Sequence, residues 1–109
     1  MRVAVVTDST CDLGTSAARR LGLGVVPLHL ALVGGRPVSP DDPEAVYAHQ
    51  RAGGLVTTAP PDAGAFAERY ARALRDCDAV LSVHLSGALS RTVDQAREAA
   101  AGSVRSPCE

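Results

Sequence analysis

Short apolar runs alternate along the chain with longer segments in which apolar residues recur every three or four positions. The runs at residues 2–6, 25–32 and 79–83 are rich in aliphatic side chains, which is typical of buried strands. The longer segments between and after these runs have the periodicity of helices. Because strand and helix patterns alternate, we predict an α/β fold with a mainly parallel sheet flanked by helices.

Capping residues and apolar periodicity predict four helices. We expect the first over residues 14–21, with Asp12 as its cap, and the second from Asp42, which precedes a proline and an acid, to the glycine pair 53–54. The third helix has one apolar stripe, and so has the fourth, for which Ser86 is the expected cap. The stripes consist of Phe66, Tyr70 and Leu74, and of Leu89, Val93, Ala96 and Ala100.

Proline and glycine mark the turns. Pro27 within the second run predicts an edge strand or an irregularity. The glycine pair 34–35, between two short apolar stretches, predicts a tight hairpin. Residues 57–61, which end in two prolines, are expected to form a loop.

Composition limits the class of protein. A chain of 109 residues forms one domain or part of one. Eleven basic and twelve acidic residues leave a net charge of −1, which argues against nucleic acid as a partner. No apolar run approaches the roughly 20 residues that span a bilayer, and the N-terminus lacks a secretory signal pattern, so we expect a cytoplasmic protein. The three cysteines have neither disulfide nor zinc spacing, and no metal is predicted.

Small hydroxyl residues cluster where apolar runs give way to helical patterns. They follow the first strand as Thr7-Asp8-Ser9-Thr10 and the third strand as Ser86 to Ser90. Parallel strands bring their carboxyl ends to one edge, so Thr7-Asp8-Ser9 and residues 84–86 should face a common crevice. Hydroxyls and free N–H groups at such places suit a carboxylate or a phosphate. We therefore expect a site that holds an anionic head group and has no catalytic residue.

A hydrolase is the alternative. Asp8 follows an apolar strand, as the nucleophile of aspartate-based phosphatases does, but Thr10 stands where such an enzyme needs a second aspartate. We expect Asp8 to accept hydrogen bonds from N–H groups of the turn, and we assign His84 no carboxylate or hydroxyl partner. The alternative function is a small phosphate-ester hydrolase or nucleotide-binding domain that uses Asp8 and the helix start at Ser86.

Four stretches in order resemble the N-terminal part of the DegV family: residues 3–13, 24–28, 56–60 and 83–96. The family motifs are TDSxxDL, VxPL, TSQPS and SSxLSGTYxSA, and the similarity extends to about residue 100. The resemblance implies a fatty-acid-binding protein, without cofactor or enzymatic activity, that presents the carboxyl group of a long-chain acid to a partner fatty acid kinase.

The resemblance also implies which residues hold the head group. Thr57 and Thr58 match the first two residues of TSQPS, whereas Ser86 and Ser90 match the first and the later serine of the fourth motif. The hydroxyls of these four residues would bind the fatty-acid carboxylate. The chain departs from the family at Ala59, Pro61, Gly87 and Arg91, which stand in place of Gln, Ser, Ser and Gly.

Length is a further departure from the family. We expect a DegV-like N-terminal domain over residues 1–102, a polar tail over 103–109 and no counterpart of the C-terminal lobe of the family. That lobe supplies the other wall of the apolar tunnel for the acyl tail. We expect either a truncated protein or a remnant whose only function is to fold or to associate. A half-tunnel would expose apolar surface, so we expect self-association through it or instability.

Overall fold

The computed structural model describes residues 1–34, 38 and 42–103. The strands within these residues are, in chain order, β1 (Val3–Asp8), β2 (Leu23–Val26), β3 (His29–Leu32), β4 (Val56–Ala59) and β5 (Ala79–Val83). Strand β1 lies between β2 and β5 in a three-stranded parallel sheet. Strands β3 and β4 pair in a separate antiparallel ribbon.

The helices are α1 (Thr15–Leu21), α2 (Pro43–Arg51), α3 (Ala63–Ala73) and α4 (Thr92–Ser103). Helices α3 and α4 pack against each other and, with the parallel sheet, enclose the buried core. This arrangement confirms the predicted α/β fold. The core residues are Val6, Val26, Phe66, Tyr70, Ala96 and Ala99.

Several predicted boundaries are confirmed. The Asp42 carboxylate accepts a hydrogen bond from the Ala45 N–H at 3.2 Å and caps α2, with Pro43 in the first turn. Gly53 has a φ of 84° just beyond the end of this helix, a backbone conformation that favours glycine. In α3, Phe66 and Tyr70 form the buried stripe that the fourfold spacing predicted.

The caps predicted for two other helices are wrong. Asp12 does not cap α1: it has a φ of 59° and ends a 3-10 turn over Ser9–Cys11, while Gly14 occupies the N-cap position of α1 without a side-chain bond. Ser86 does not cap α4, because the helix begins only at Thr92. The Ser90 hydroxyl, much nearer the helix, accepts from the Thr92 N–H at 3.2 Å instead. Leu89 therefore lies outside α4, and it is 80% exposed.

The second apolar run is interrupted as Pro27 predicted, and the interruption separates β2 from β3 into different sheets. The predicted loop over residues 57–61 is wrong in its first half, because Val56–Ala59 is strand β4. The β-branched residues at the start of that strand favour extended pairing with β3. Of the predicted hairpin, Gly34 has a turn-compatible φ of 76°, whereas Gly35 lies outside the described residues. Residues 104–109 of the predicted tail also lie outside the described residues.

Candidate functional site

The carboxyl ends of β1 and β5 meet at one edge of the parallel sheet, as the topology predicted. Asp8 is the last residue of β1, and His84 directly follows β5. The Asp8 Oδ2 atom lies 2.6 Å from the His84 Nδ1 atom, and their side chains are 0% and 1% exposed. The partner that the sequence analysis could not assign to His84 is therefore Asp8, across the sheet.

A chain of hydrogen bonds continues from His84 into the core. The His84 Nε2 atom bonds to the Ser82 hydroxyl, which lies 2.7 Å from the Tyr70 hydroxyl on α3. The Phe66 ring meets the His84 ring edge to face, with centroids 5.0 Å apart and an interplanar angle of 81°. Burial raises the pKa of Tyr70, and the hydrogen bond with Ser82 partly opposes that shift.

One assignment of donors and acceptors gives every polar atom of this network a partner. A carboxylate accepts only, so the His84 Nδ1–H donates to Asp8. In the tautomer with the His84 proton on Nδ1, Nε2 accepts from the Ser82 hydroxyl, and Ser82 accepts in turn from Tyr70. In this series of hydrogen bonds each donor faces an acceptor, which is what a buried polar network requires.

Asp8 also organises the turn after β1. Its Oδ1 atom accepts from the Thr10 N–H at 2.9 Å and from the Thr10 hydroxyl, as expected for an aspartate that satisfies a turn. The Thr7 hydroxyl donates to the Val83 carbonyl at 2.7 Å, and the Ser9 hydroxyl accepts from the Leu28 N–H at 2.9 Å. The turn thereby joins β1 to β5 and to the connection between β2 and β3.

The order Ser82, His84, Asp8 has the connectivity of a catalytic triad. However, the Ser82 hydroxyl lies between His84 and Tyr70, and Ser82 pairs in register with the core residue Val6. Ser82 is half-buried, and its hydroxyl is bonded on both sides. We therefore interpret the network as a structural link between β1, β5 and α3. Within the described ranges, no group of three or more His, Cys, Asp or Glu side chains can hold a metal ion.

The predicted serines lie in the loop between β5 and α4, where the structure brings them together. The N–H groups of Leu89 and Ser90 donate to the Ser86 carbonyl at 2.9 and 3.2 Å. The Ser86 hydroxyl is in an exposed residue and accepts from the Ala88 N–H at 3.1 Å. The Ser90 hydroxyl is half-buried and lies 2.8 Å from the Thr92 hydroxyl.

The predicted threonines lie on the antiparallel ribbon instead. Thr57 pairs with Ala31 and donates its hydroxyl to the Ala31 carbonyl at a long 3.4 Å, while Thr58 pairs with Leu30. Both threonines are exposed, and as neighbours in a strand they point to opposite faces. In the part of the chain that the structure describes, no hydrogen bond joins them to Ser86 or Ser90. Their convergence on one ligand stays a prediction.

The structure thus defines an α/β domain whose parallel sheet has hydroxyl side chains at its carboxyl edge. A family model described as "Uncharacterised protein, DegV family" matches residues 2–106. The chain belongs to the DegV family. None of the helices in the described residues is both long and apolar enough to cross a bilayer.

Relatives of known sequence agree with this assignment. A DegV domain-containing protein of Deinococcus radiodurans is 42% identical over 106 residues, which cover 92% of this chain and 37% of the relative. One from Lactococcus lactis is 34% identical over 101 residues, covering 90% of this chain and 36% of the relative. The chain therefore spans just over a third of the length of these relatives.

Solved structures share the fold. A DegV family protein from Thermus thermophilus, described by its fatty acid binding, is 41% identical and superposes with a TM-score of 0.79. The match covers 94% of this chain and 38% of the Thermus protein. DegV of Bacillus subtilis, described as a fatty acid binding protein, is 27% identical with a TM-score of 0.77, and the coverages are 95% and 38%.

The sequence analysis missed the link from Asp8 to Tyr70, although a signal was present. Parallel pairing predicts that residues after β5 lie beside the end of β1, which places His84 near Asp8. Strand alternation puts Ser82 on the same face as Val80, and Val80 packs against the core beneath α3. The parallel pairing and the strand alternation together would have predicted a row of polar side chains beneath Tyr70.

Proposed function

We propose that this chain is a fatty-acid-binding module that holds the carboxylate of a long-chain acid at Ser86 and Ser90 of its carboxyl edge, together with Thr57 and Thr58 of the antiparallel ribbon. The observation that carries the proposal is the β5–α4 loop. It places Ser86 and Ser90 together, leaves Ser86 exposed, and precedes the twelve-residue helix α4. The likeness to the fatty-acid-binding DegV proteins of Thermus thermophilus and Bacillus subtilis supports the choice of ligand.

The charges at this loop suit a carboxylate. The positive end of the α4 dipole, equivalent to about half an elementary charge, favours an anion before the helix. Arg91 is exposed in the same loop and forms no ion pair within the described residues. Hydroxyl donors to a charged acceptor add charge-assisted hydrogen bonds. Most of the affinity would come from the acyl tail, at about 0.8 kcal/mol for each buried CH₂ group.

The tail needs an apolar wall. Val3, Leu81 and Val83 are each about half exposed, and they lie at odd positions of β1 and β5, on the face away from Val6 and Val80. We propose that the acyl tail uses this face, and that a second copy of the chain covers it in self-association.

The proposal assigns the chain a carrier role. The bound acid would be presented to a partner kinase, which would carry out the phosphoryl transfer, in the cytoplasm. The alternative hydrolase requires an accessible Asp8, whereas this side chain is fully buried and accepts hydrogen bonds from His84 and Thr10. The structure offers that alternative no support.

Binding of palmitate to the purified chain tests the proposal, measured by isothermal titration calorimetry. An unpaired charged acceptor costs about 1–3 kcal/mol, so Ser86→Ala and Thr57→Ala should each weaken binding by about 5- to 150-fold. Ser16→Ala, which removes an exposed hydroxyl on α1, is the matched control and should leave the affinity unchanged. Ser86→Thr, which keeps the hydroxyl, should retain most of the affinity.

Two results would contradict the head-group assignment. One is palmitate affinity that is unchanged in both Ser86→Ala and Thr57→Ala. The other is a loss in Ser16→Ala as large as theirs, which would show that binding does not depend on these positions. Native mass spectrometry of the chain purified from cells should also retain a long-chain acid. A retained phosphate compound in its place would favour the hydrolase.

A further inference from the structure

A cleft of about 350 Å³ lies at the amino ends of the parallel strands, away from Asp8 and His84. Its walls are the first half of β1, the start of β2 and the C-terminal part of α3 with the turn that follows. Three arginines line it, Arg69, Arg72 and Arg75, and we call it the arginine cleft.

Arg69 and Arg72 lie on one side of α3 because they are three residues apart, and Arg75 lies in the turn that follows the helix. Arg69 is the innermost. Its guanidinium lies against the backbone of β2 at Gly24, where a Cβ atom would come within 2.4 Å of Nε. The absence of a side chain at Gly24 therefore gives Arg69 its place in the cleft. Burial, and secondly the charge of Arg72, lower the pKa of Arg69.

The arginines have no carboxylate partner among the residues that the structure describes. The ion pairs found there join Arg51 to Glu44 at 3.9 Å and Arg97 to Asp94 at 3.8 Å, besides the Asp8–His84 pair. The lining of the cleft contains one acidic residue, Asp76, against the three arginines. Two positive charges are thus in excess.

The helix dipole accounts for only part of this charge. The C-terminal end of α3 has a partial charge of about −0.5, which favours basic side chains in the last turn. Three guanidinium groups exceed that charge several-fold, and Arg69 is held against β2 rather than free in solvent. The excess charge and the position of Arg69 both point to a ligand.

We propose that the arginine cleft binds a phosphate-bearing anion. Guanidinium groups bind phosphate in a planar, two-pronged geometry that few other side chains provide. A phosphate dianion matches the excess of two charges. The volume lies within the range of small-molecule sites, which is about 300–1,000 Å³. The ligand would enter from the open side of the cleft, where Arg72 and Arg75 are exposed.

NMR titration of the ¹⁵N-labelled chain tests this site, with inorganic phosphate as the first probe and adenosine monophosphate as the second. The ionic strength is held constant with sodium chloride. Both probes should give saturable shifts of the amide signals of Gly22, Gly24 and Cys77, which line the cleft. Equal affinity for the two probes would identify the phosphate group itself as the ligand. Tighter binding of the monophosphate would identify a phosphate ester.

Arg72→Gln should weaken phosphate binding at least tenfold, and because Arg72 is exposed the variant should fold normally. Arg69→Gln should weaken it further. Arg97→Gln, an exposed arginine on α4, is the matched control and should bind as the unmodified chain does. Shifts that do not saturate, or an Arg72→Gln variant that binds phosphate as well as the control, would overturn the proposal. Palmitate binding by Arg72→Gln should be unchanged, so this test and that of the fatty-acid site can fail independently.

Discussion

Removal of the Asp8 carboxylate should destabilise the protein more than any exposed charge does. Asp8→Ala leaves the His84 Nδ1–H without an acceptor at a site where both side chains are at most 1% exposed. It also deprives the Thr10 N–H of its acceptor. Each donor left without an acceptor costs about 1–3 kcal/mol, so the loss of both bonds is a large part of the roughly 5–15 kcal/mol that stabilises a typical domain.

Asp8→Asn removes the negative charge but keeps a side chain of the same shape that can form hydrogen bonds. The asparagine oxygen can still accept from Thr10, and its NH₂ group can donate to Nδ1 once His84 takes the other tautomer. The chain of hydrogen bonds then reverses, with Nε2–H donating to Ser82 and Ser82 donating to Tyr70. The reversal leaves the Tyr70 O–H and one amide hydrogen of the asparagine without acceptors in the network, but the bonds to Thr10 and the contact with His84 remain. We therefore expect a loss of about 1–3 kcal/mol, smaller than that of the alanine variant.

Urea denaturation followed by circular dichroism measures the loss of unfolding free energy in both variants. Equal m-values show that unfolding exposes the same surface area in each variant. Asp94→Ala is the matched control, because it removes the same group from an exposed pair 3.8 Å from Arg97. Its cost should not exceed about 1 kcal/mol. The reasoning is refuted if Asp8→Ala costs no more than this control, or if Asp8→Asn costs as much as Asp8→Ala.

Two further expectations concern the neighbouring hydroxyls. The raised pKa of Tyr70 means that the folded state holds its proton more tightly than the unfolded state. This contribution to stability is therefore complete below the unfolded pKa of about 10 and is lost as the pH rises through the folded value. Tyr70→Phe should flatten the fall of the urea midpoint above pH 10, and an unchanged slope would contradict the shift. Ser90→Ala removes the acceptor for the Thr92 N–H and should cost about 1 kcal/mol of unfolding free energy. Equal midpoints for Ser90→Ala and the unmodified chain would show that Ser90 does not cap α4.

The sequence predicted the parallel sheet because its apolar runs are short and separated by capped helices. Asp42 and the stripe of Phe66 and Tyr70 are local signals, and the structure confirms them. The prediction from sequence was wrong where several residues could each cap the same helix. Between Ser86 and Thr92 two serines can each cap a helix, and the choice of Ser90 depends on Thr92, which is completely buried and fixes where α4 begins.

The meeting of the residues after β1 and β5 at one edge was predicted, but their contacts were not. Strand order was enough to bring the residues after β1 and β5 to one edge. The bond between Asp8 and His84 spans 76 positions of the chain, so no local spacing contains it. The same limit applies to β4: pairing with β3 turned a proline-bounded segment into a strand, and that pairing is tertiary.

The two ends of the parallel sheet differ in their charge, and that difference bears on what each can bind. At the carboxyl edge the Asp8 carboxylate is occupied by hydrogen bonds from His84 and Thr10, which leaves Arg91, the dipole of α4 and neutral hydroxyls for a ligand. That is enough to balance a single negative charge, as in a fatty-acid carboxylate. The arginine cleft has two positive charges in excess and no hydroxyl in its lining. A dianion matches the cleft better. We therefore expect a fatty-acid carboxylate to bind weakly in the arginine cleft, and a phosphate to bind weakly at the carboxyl edge.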